Sequence, residues 1–495
     1  MRSVKSMRFS DIDNVLVLPE GGEAGQRIED AGFVDGASVI SEDIPAWHKV
    51  ACEPIASGSP IIKHGYPIGS SIADILPGAW VHVHNAAERP GAGWRMPPGR
   101  MRPSDGDRYA RPGESSLKFR GYRREEGRPG VRNDLWVISS AGYAGGRLGE
   151  IVRDYHGQYW MDSVKIIEHP SNCPHLRRGF DFPEAILSGF TSNPNAAGVL
   201  LIVSEDEEIE PEAVHDLTSD RSPRVLALRN PGPTEIAEYL DRLGGDAPRV
   251  REDFSISSLC VGIKPTGGDP RDILPANLLM GRFSDWFVSR GGTILSVAPP
   301  ETLAFEDIVA ARILKGTTLD EFMSFSKLYK RHAKEDRELT LSSRDIEEGL
   351  TTITEKILLT SEGSGRSPIT AVLRRGDRVR DLGGVQITYA SDDDLASSTA
   401  LTSGGVQIIL SVAEEGACVR AVVPTIEISS EWRTSKARHE WTGFGASVPL
   451  NGEMPGDTPE GLDKLAEYIF LVASGDERTR QEKTGSSPDR VHRNP

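Results

Sequence analysis

Four places in the sequence hold residue types able to do chemistry. The densest is Phe119 to Asn133, where three glycines and five arginines precede the apolar run Leu135-Trp136-Val137-Ile138. Gly127 and Gly130 permit backbone conformations closed to other residues. Arg124, Arg128 and Arg132 offer planar forks that suit a carboxylate or phosphate. The segment therefore reads as a turn carrying an anion site, or as a basic surface loop paired with Glu125 and Glu126. His82 and His84 stand two apart in Trp80-Val81-His82-Val83-His84, and on a strand they would share one face, able to bind a metal or grip a carboxylate. His169 and Cys173 follow a second apolar run, and imidazole and thiolate are both soft-metal ligands and proton carriers. Gly267-Gly268-Asp269 opens onto an apolar helix, a setting that suits an anion but has many structural precedents.

Elements to position these groups can be read from the hydrophobic periodicity. From about Phe9 to Asn85, short alternating segments broken by Gly, Pro and Asp predict a small all-β unit: Asn14 to Leu18, Ala37 to Ile40, Ile61 to Lys63 and Trp80 to His84. Residues 89–118 are dense in Pro, Gly and Arg and read as a linker. Strands and helices then alternate: strand Leu135 to Ser139, helix Arg147 to Tyr155, strand Ser163 to Glu168, helix Pro183 to Phe190, strands Val199 to Val203 and Val225 to Leu228, and helix Thr234 to Leu243. That is the rhythm of an α/β domain with a largely parallel sheet, whose ligands sit beyond the carboxyl ends of the strands. A second α/β half starts near Ile256, with strand Leu259 to Ile263 and a helix from Asn277 to Val288. The expected organisation is a β domain at 1–88, the linker at 89–118, α/β domains at 119–250 and 251–485, and a polar tail at 486–495.

A chain of 495 residues is long enough for several cored domains, and its net charge of −16 argues against nucleic acid or an anionic membrane as partner. The N-terminus lacks the apolar core of a signal peptide and no apolar run approaches a membrane span, so a cytoplasmic location is expected. Cys52, Cys173, Cys260 and Cys418 are scattered without disulfide spacing, which fits reduced thiols.

Phe119, Gly121, Tyr122, Arg123, Gly127, Arg128, Gly130, Arg132 and Asn133 match a pattern found at the head of the large domain in the altronate/galactarate dehydratase family. The β unit likewise resembles that family's SAF (β-clip) domain, through Asp43 to Val50, Lys63-His64-Gly65 and Val81 to Asn85. Further similarity lies at Gly291 to Ser296, Gly349 to Lys356 and Ala473 to Glu482. The resemblance implies a SAF domain followed by two mostly parallel α/β halves. It also implies a hydro-lyase that removes water from a hydroxy (sugar) acid to give a 2-keto-3-deoxy acid, using a divalent metal, Fe2+ or Mn2+. By the same carry-over His169, Asp269, Arg128 and Arg132 are catalytic, Arg123, Asn133, Lys49, Gly267 and Asn277 bind substrate, and His82, His84 and Cys173 hold the metal. The implied partner is a small hydroxy acid, and a homo-oligomer is compatible with this, its order left open.

The chain departs from the pattern at several places. Pro265 replaces a cysteine, Val297 a glutamate, and Asn172 and Pro174 replace glycines. Ala141-Gly142-Tyr143 and Ser204-Glu205-Asp206 lack expected thiols, and Ser343 to Ile346 and Ser411 to Gly416 also differ. Fewer soft ligands mean an altered metal or none. A lyase acting on an unusual acid, a binding paralogue without catalysis, and a lyase or epimerase with another leaving group all follow.

Overall fold

The computed structural model describes residues 3–29, 39–88, 116–125, 127–140, 148, 161–169, 183–203, 224–229, 231–245, 247–265, 270–299, 302–303, 306–332, 340–381, 383–390, 394–412, 421–430, 444–446 and 459–484. The N-terminal unit is all β, with strands β1 (Ser3–Lys5), β2 (Val15–Leu18), β3 (Arg27–Glu29), β4 (His48–Ala51), β5 (Pro60–Lys63), β6 (Tyr66–Ser71), β7 (Trp80–Val81) and β8 (Ala86–Ala87). They form antiparallel sheets in the orders β2-β4-β7 and β5-β6-β8, with β1 and β3 paired in parallel. This confirms the expected small β domain. One core cluster, with Val4, Leu16, Leu18, Ile40 and Val50, lies wholly within the unit, while in another Val15, Ile61, Ile68 and Val81 pack with Ile308, Ile357 and Leu358 of the C-terminal region.

A four-stranded parallel sheet follows, in the order β11-β10-β12-β13. It is built from β10 (Asp134–Ser140), β11 (Val164–His169), β12 (Ala196–Val203) and β13 (Arg224–Arg229), with helices α1 (Pro183–Thr191) and α2 (Pro233–Gly245). Leu135 to Ile138 are buried on both faces of the sheet, as a near-continuous apolar strand in a parallel sheet should be. The helix expected at Arg147 to Tyr155 lies outside the described residues apart from Leu148.

An antiparallel ribbon of β9 (Lys118–Tyr122) and β14 (Arg251–Ser255) links this sheet to a larger one. The larger sheet has seven parallel strands in the order β17-β18-β16-β15-β19-β20-β21. They are β15 (Cys260–Lys264), β16 (Thr293–Ala298), β17 (Ile369–Leu373), β18 (Gly384–Tyr389), β19 (Ile408–Val412), β20 (Thr425–Ser430) and β21 (Phe444–Ala446). Helices α3 (Pro270–Ser289), α4 (Glu306–Ala310), α5 (Gly316–His332), α6 (Ser343–Glu347), α7 (Ile353–Glu362), α8 (Asp394–Ser403), α9 (Pro459–Ser474) and α10 (Arg480–Thr484) accompany it. One face packs Phe283 and Phe287 of α3 and Ile469 of α9 against Val261, Ile294 and Ile408. On the other face α8 and α1 lie in a cluster shared with the four-stranded sheet, so Trp136 and Ile409 belong to one core. Among the described residues no helix is long and apolar enough to cross a membrane.

Candidate functional site

The arginine-rich turn sits at the amino ends of both sheets. Gly127 has φ +77°, and at Gly130 a Cβ would stand 2.3 Å from the carbonyl oxygen of Pro194, so glycine is needed at both positions. Each arginine of the turn has a protein partner. Arg124 donates to Pro194 O, Asn133 Oδ1 and Arg132 O. Arg128 donates to Ser257 O, to Thr293 Oγ1 at the first residue of β16, and to the exposed Asp381. The buried Arg132 grips Glu482 of α10 through two nitrogens (2.5 and 2.9 Å) and also donates to Val472 O. Arg123 pairs on the surface with Glu252. Asn133 is buried and donates to Pro248 O.

His169, by contrast, ends β11, in register with Ser140 at the carboxyl end of β10. The turn precedes Asp134, so roughly 20 Å of strand, at about 3.3 Å per residue, separates it from His169. Arg128 and Arg132, expected to be catalytic together with His169, thus lie at the opposite end of β10 from it, against backbone, Thr293, Asp381 and Glu482. The His169 side chain, Cys173, Gly267 and Asp269 lie outside the described residues.

Buried charge collects instead where the β domain meets α7. Glu355, in the first turn of α7, is fully buried, and its Oε2 accepts from Lys49 Nζ (3.0 Å), Thr351 N (3.0 Å) and Thr351 Oγ1 (2.8 Å). Its Oε1 accepts from Lys63 Nζ (2.8 Å). Lys49 also donates to Gly349 O (2.6 Å). Burial works to raise the Glu355 pKa, but the two ammonium groups outweigh it and hold the carboxyl far below its ordinary range. Burial pushes Lys49 down to about 8. Glu88 adds a clamp, accepting from Ile353 N and from the Thr354 hydroxyl at the same helix end. Lys49, expected to bind substrate, is thus enclosed in a domain seam.

The same seam holds the histidines of the β domain. His82 and His84 lie in a turn rather than on a strand, because the Asn85 side chain accepts from His82 N and donates to Trp80 O, ending β7 at Val81. His48 Nε2 donates to Glu347 O (3.2 Å), and its Nδ1 accepts from Trp80 Nε1 (3.1 Å), which makes it the neutral Nε2–H tautomer. Burial takes its pKa down to about 4. His82 Nε2 donates to Ile346 O (3.0 Å), and its ring centroid is 6.3 Å from that of His84. The described residues contain no group of three or more His, Cys, Asp or Glu able to hold a metal ion, so His82 and His84 as described do not fit a metal centre by themselves.

The position for chemistry that the topology favours is the carboxyl edge of the large sheet. β15 lies between β16 and β19, and the chain leaves it for β16 on one side and returns to β19 on the other, the switch point where α/β sheets bind ligands. Lys264 ends β15, buried and paired with Asp394 at the start of α8. Beside it, Pro265, Ser296, Val297, Arg312, Ser361 and Ser364 are among the residues lining a small, half-open pocket of about 30 Å³, room for a water molecule or two. Arg312 binds Ser364 Oγ, Ser364 O and Ser367 O, bracing the pocket's wall. Asn277, expected to bind substrate, is buried behind this wall and donates to Leu359 O. Pro265 and Val297, two of the departures noted in the sequence, line this pocket together and make that part of its wall apolar.

Comparison with known proteins agrees with this three-part organisation. Residues 4–89 match the altronate/galactarate dehydratase SAF domain, residues 121–238 the second domain of D-galactarate dehydratase/altronate hydrolase, and residues 256–493 the C-terminal domain of D-galactarate/altronate dehydratase. The chain is 28% identical over 487 residues to altronate dehydratase of Bacillus subtilis, covering 94% of each. To galactarate dehydratase (L-threo-forming) of Escherichia coli it is 26% identical over 511 residues, covering 97% of this chain and 94% of the relative. It is also similar to both subunits of (2R)-sulfolactate sulfo-lyase of Chromohalobacter salexigens. Subunit beta is 24% identical over 72% of this chain and 92% of its own length, and subunit alpha 35% identical over 14% of this chain and 78% of its own.

Proposed function

Since the chain belongs to the altronate/galactarate dehydratase family, a family of hydro-lyases, we propose that it eliminates water from a hydroxy acid. A base removes the proton α to the carboxylate, the resulting enediolate expels the β-hydroxyl as water, and the enol that remains tautomerises to a 2-keto-3-deoxy acid. The observation that carries this reading is that all three regions match in order along nearly the whole of both chains. Asp269 and His169 are the proposed proton carriers, because each lies in sequence at or just past the carboxyl end of a parallel strand, Asp269 after the central β15 of the large sheet and His169 at the end of β11, the edge strand of the smaller one. A divalent metal would stabilise the enediolate, but the described residues contain no cluster that fits one.

A second reading has its own support. Both subunits of a sulfo-lyase are similar to parts of this chain. The same α-proton abstraction followed by loss of sulfite is then the reaction.

Incubating the protein in deuterated water with aldonates, aldarates, deoxy acids and sulfolactate, with and without added Fe2+ or Mn2+, separates these. A 2-keto acid, or deuterium exchange at the α carbon, is expected with at least one acid. Sulfite release would favour the second reading. Failure of both exchange and elimination would leave only a binding paralogue. Asp269→Asn and His169→Ala are each expected to lower turnover by about 100-fold, the scale of a lost general acid or base. Arg128→Ala is expected to change kcat/KM by less than about fivefold, equivalent to about 1 kcal/mol, because its contacts are at the far edge of the sheet. A 100-fold loss in that variant would return the turn to the site.

A further inference from the structure

His64 is held in a conformation and a setting that cost stability. Its φ is +58°, rare for a residue with a Cβ, and its buried ring nitrogens have no hydrogen-bond partner. The turn is imposed by Asp13, whose carboxylate accepts from the backbone N–H of Phe9, Ser10, His64 and Gly65. The imidazole is stacked on Phe9, with centroids 4.0 Å apart. Its Nδ1 faces Glu362 Oε1 at 3.5 Å, and Arg366 approaches that oxygen at the same distance. Neither contact is a hydrogen bond, and Glu362 Oε1 has no hydrogen-bond partner either. Burial, with Lys63 and Arg366, keeps the ring neutral, and Glu355 works against them without prevailing.

Glu362 leads directly to the pocket. It ends α7, and the next residue, Gly363, is so close to α3 that a Cβ would stand 2.8 Å from Pro265 Cβ and 3.2 Å from Asn277 Oδ1. Ser361 and Ser364, on either side, line the pocket. Strained backbone and unpaired buried groups persist where the surroundings over-determine them, and they cluster at functional sites.

We propose that His64 is a positioning residue: donating from Nδ1 to Glu362, it seats the last turn of α7 against Pro265 and so sets the wall at the carboxyl edge of the large sheet, where the proposed reaction takes place. The hydrogen bond needs the present gap to close by roughly 0.7 Å, to the length usual for a charge-assisted pair. The inference rests on the hydroxy-acid reading for its kinetic arm only.

Two arms test it on the full chain. In the first, nitrogen-15 histidine spectra of the free protein are recorded for wild type and Glu362→Gln. The His64 Nδ1 signal is expected to move between them, and an unmoved signal overturns the pairing whatever the protein's activity. In the second, His64→Asn, which tolerates the left-handed backbone, His64→Gly, Glu362→Gln and the Asn/Gln double variant are compared by kinetics and urea unfolding. Each single variant is expected to raise KM at least tenfold with kcat within threefold, the double no more than the worse single. Unchanged KM with lowered stability would mean a purely structural role, and additive losses would mean two independent ones. If no acid is turned over, the hydroxy-acid reading fails and the spectral arm still decides the pairing.

Discussion

Glu355→Gln is expected to destabilise the protein by roughly 3–5 kcal/mol, the usual cost of removing one partner from a buried ion pair. The carboxylate is the shared counter-ion of Lys49 and Lys63, and both ammonium groups are almost fully buried. Without it, two cations stay in a seam that water does not reach, and Lys49 must deprotonate or the β domain must lift from α7. The loss should appear as a fall in the urea midpoint. The combined variant Lys49→Met, Lys63→Met, Glu355→Leu should recover most of it, because replacing a whole buried ionic cluster by apolar groups is often neutral. A Glu355→Gln protein as stable as wild type would show that the seam is not held by these charges.

Arg132→Ala should cost a similar amount, about 3–5 kcal/mol, by leaving Glu482 without its fork in a mostly buried site. The pair also has a pH signature. Burial works to raise the Glu482 pKa, but the Arg132 fork outweighs it and brings the carboxyl down to about 2, against an ordinary 4.5. A depressed folded-state pKa contributes stability that is complete above 4.5 and is lost as the pH falls toward 2. Wild type should therefore lose roughly 3 kcal/mol from this pair across that window. The Arg132→Ala protein should lose far less there, so the two stability curves converge in acid. Parallel curves from pH 5 to 2 would contradict the assignment.

The alternation of apolar strands with helices was legible because parallel strands buried on both faces must be apolar runs. Leu135 to Ile138 and Cys260 to Ile263 show it plainly, and the family resemblance held along the chain. The partners of the signature arginines were not legible. Residue type reveals that Arg132 can hold a carboxylate, but not that Glu482, 350 residues later, supplies it. Lys49 misled for the same reason, since all of β4 is buried and its counter-ion lies 306 residues away. His82 and His84 were assigned to a strand that the Asn85 side chain terminates. Glu355 was passed over because Thr352-Ile353-Thr354-Glu355 reads as an ordinary helix start, and Thr352 does accept from Glu355 N as the cap. His64 and Glu362 carried no sequence signal beyond the Lys-His-Gly match, since positive φ and an unpaired ring are visible only in three dimensions.

The proposed acid site is the carboxyl edge of the large sheet, beside α7, and not the arginine-rich turn. A crystal structure of the protein soaked with the best acid from the panel tests it most directly. Density for the acid beside Pro265, Val297 and Ser361 is the predicted result. Density against Arg128 and Thr293, at the amino edge, would contradict it.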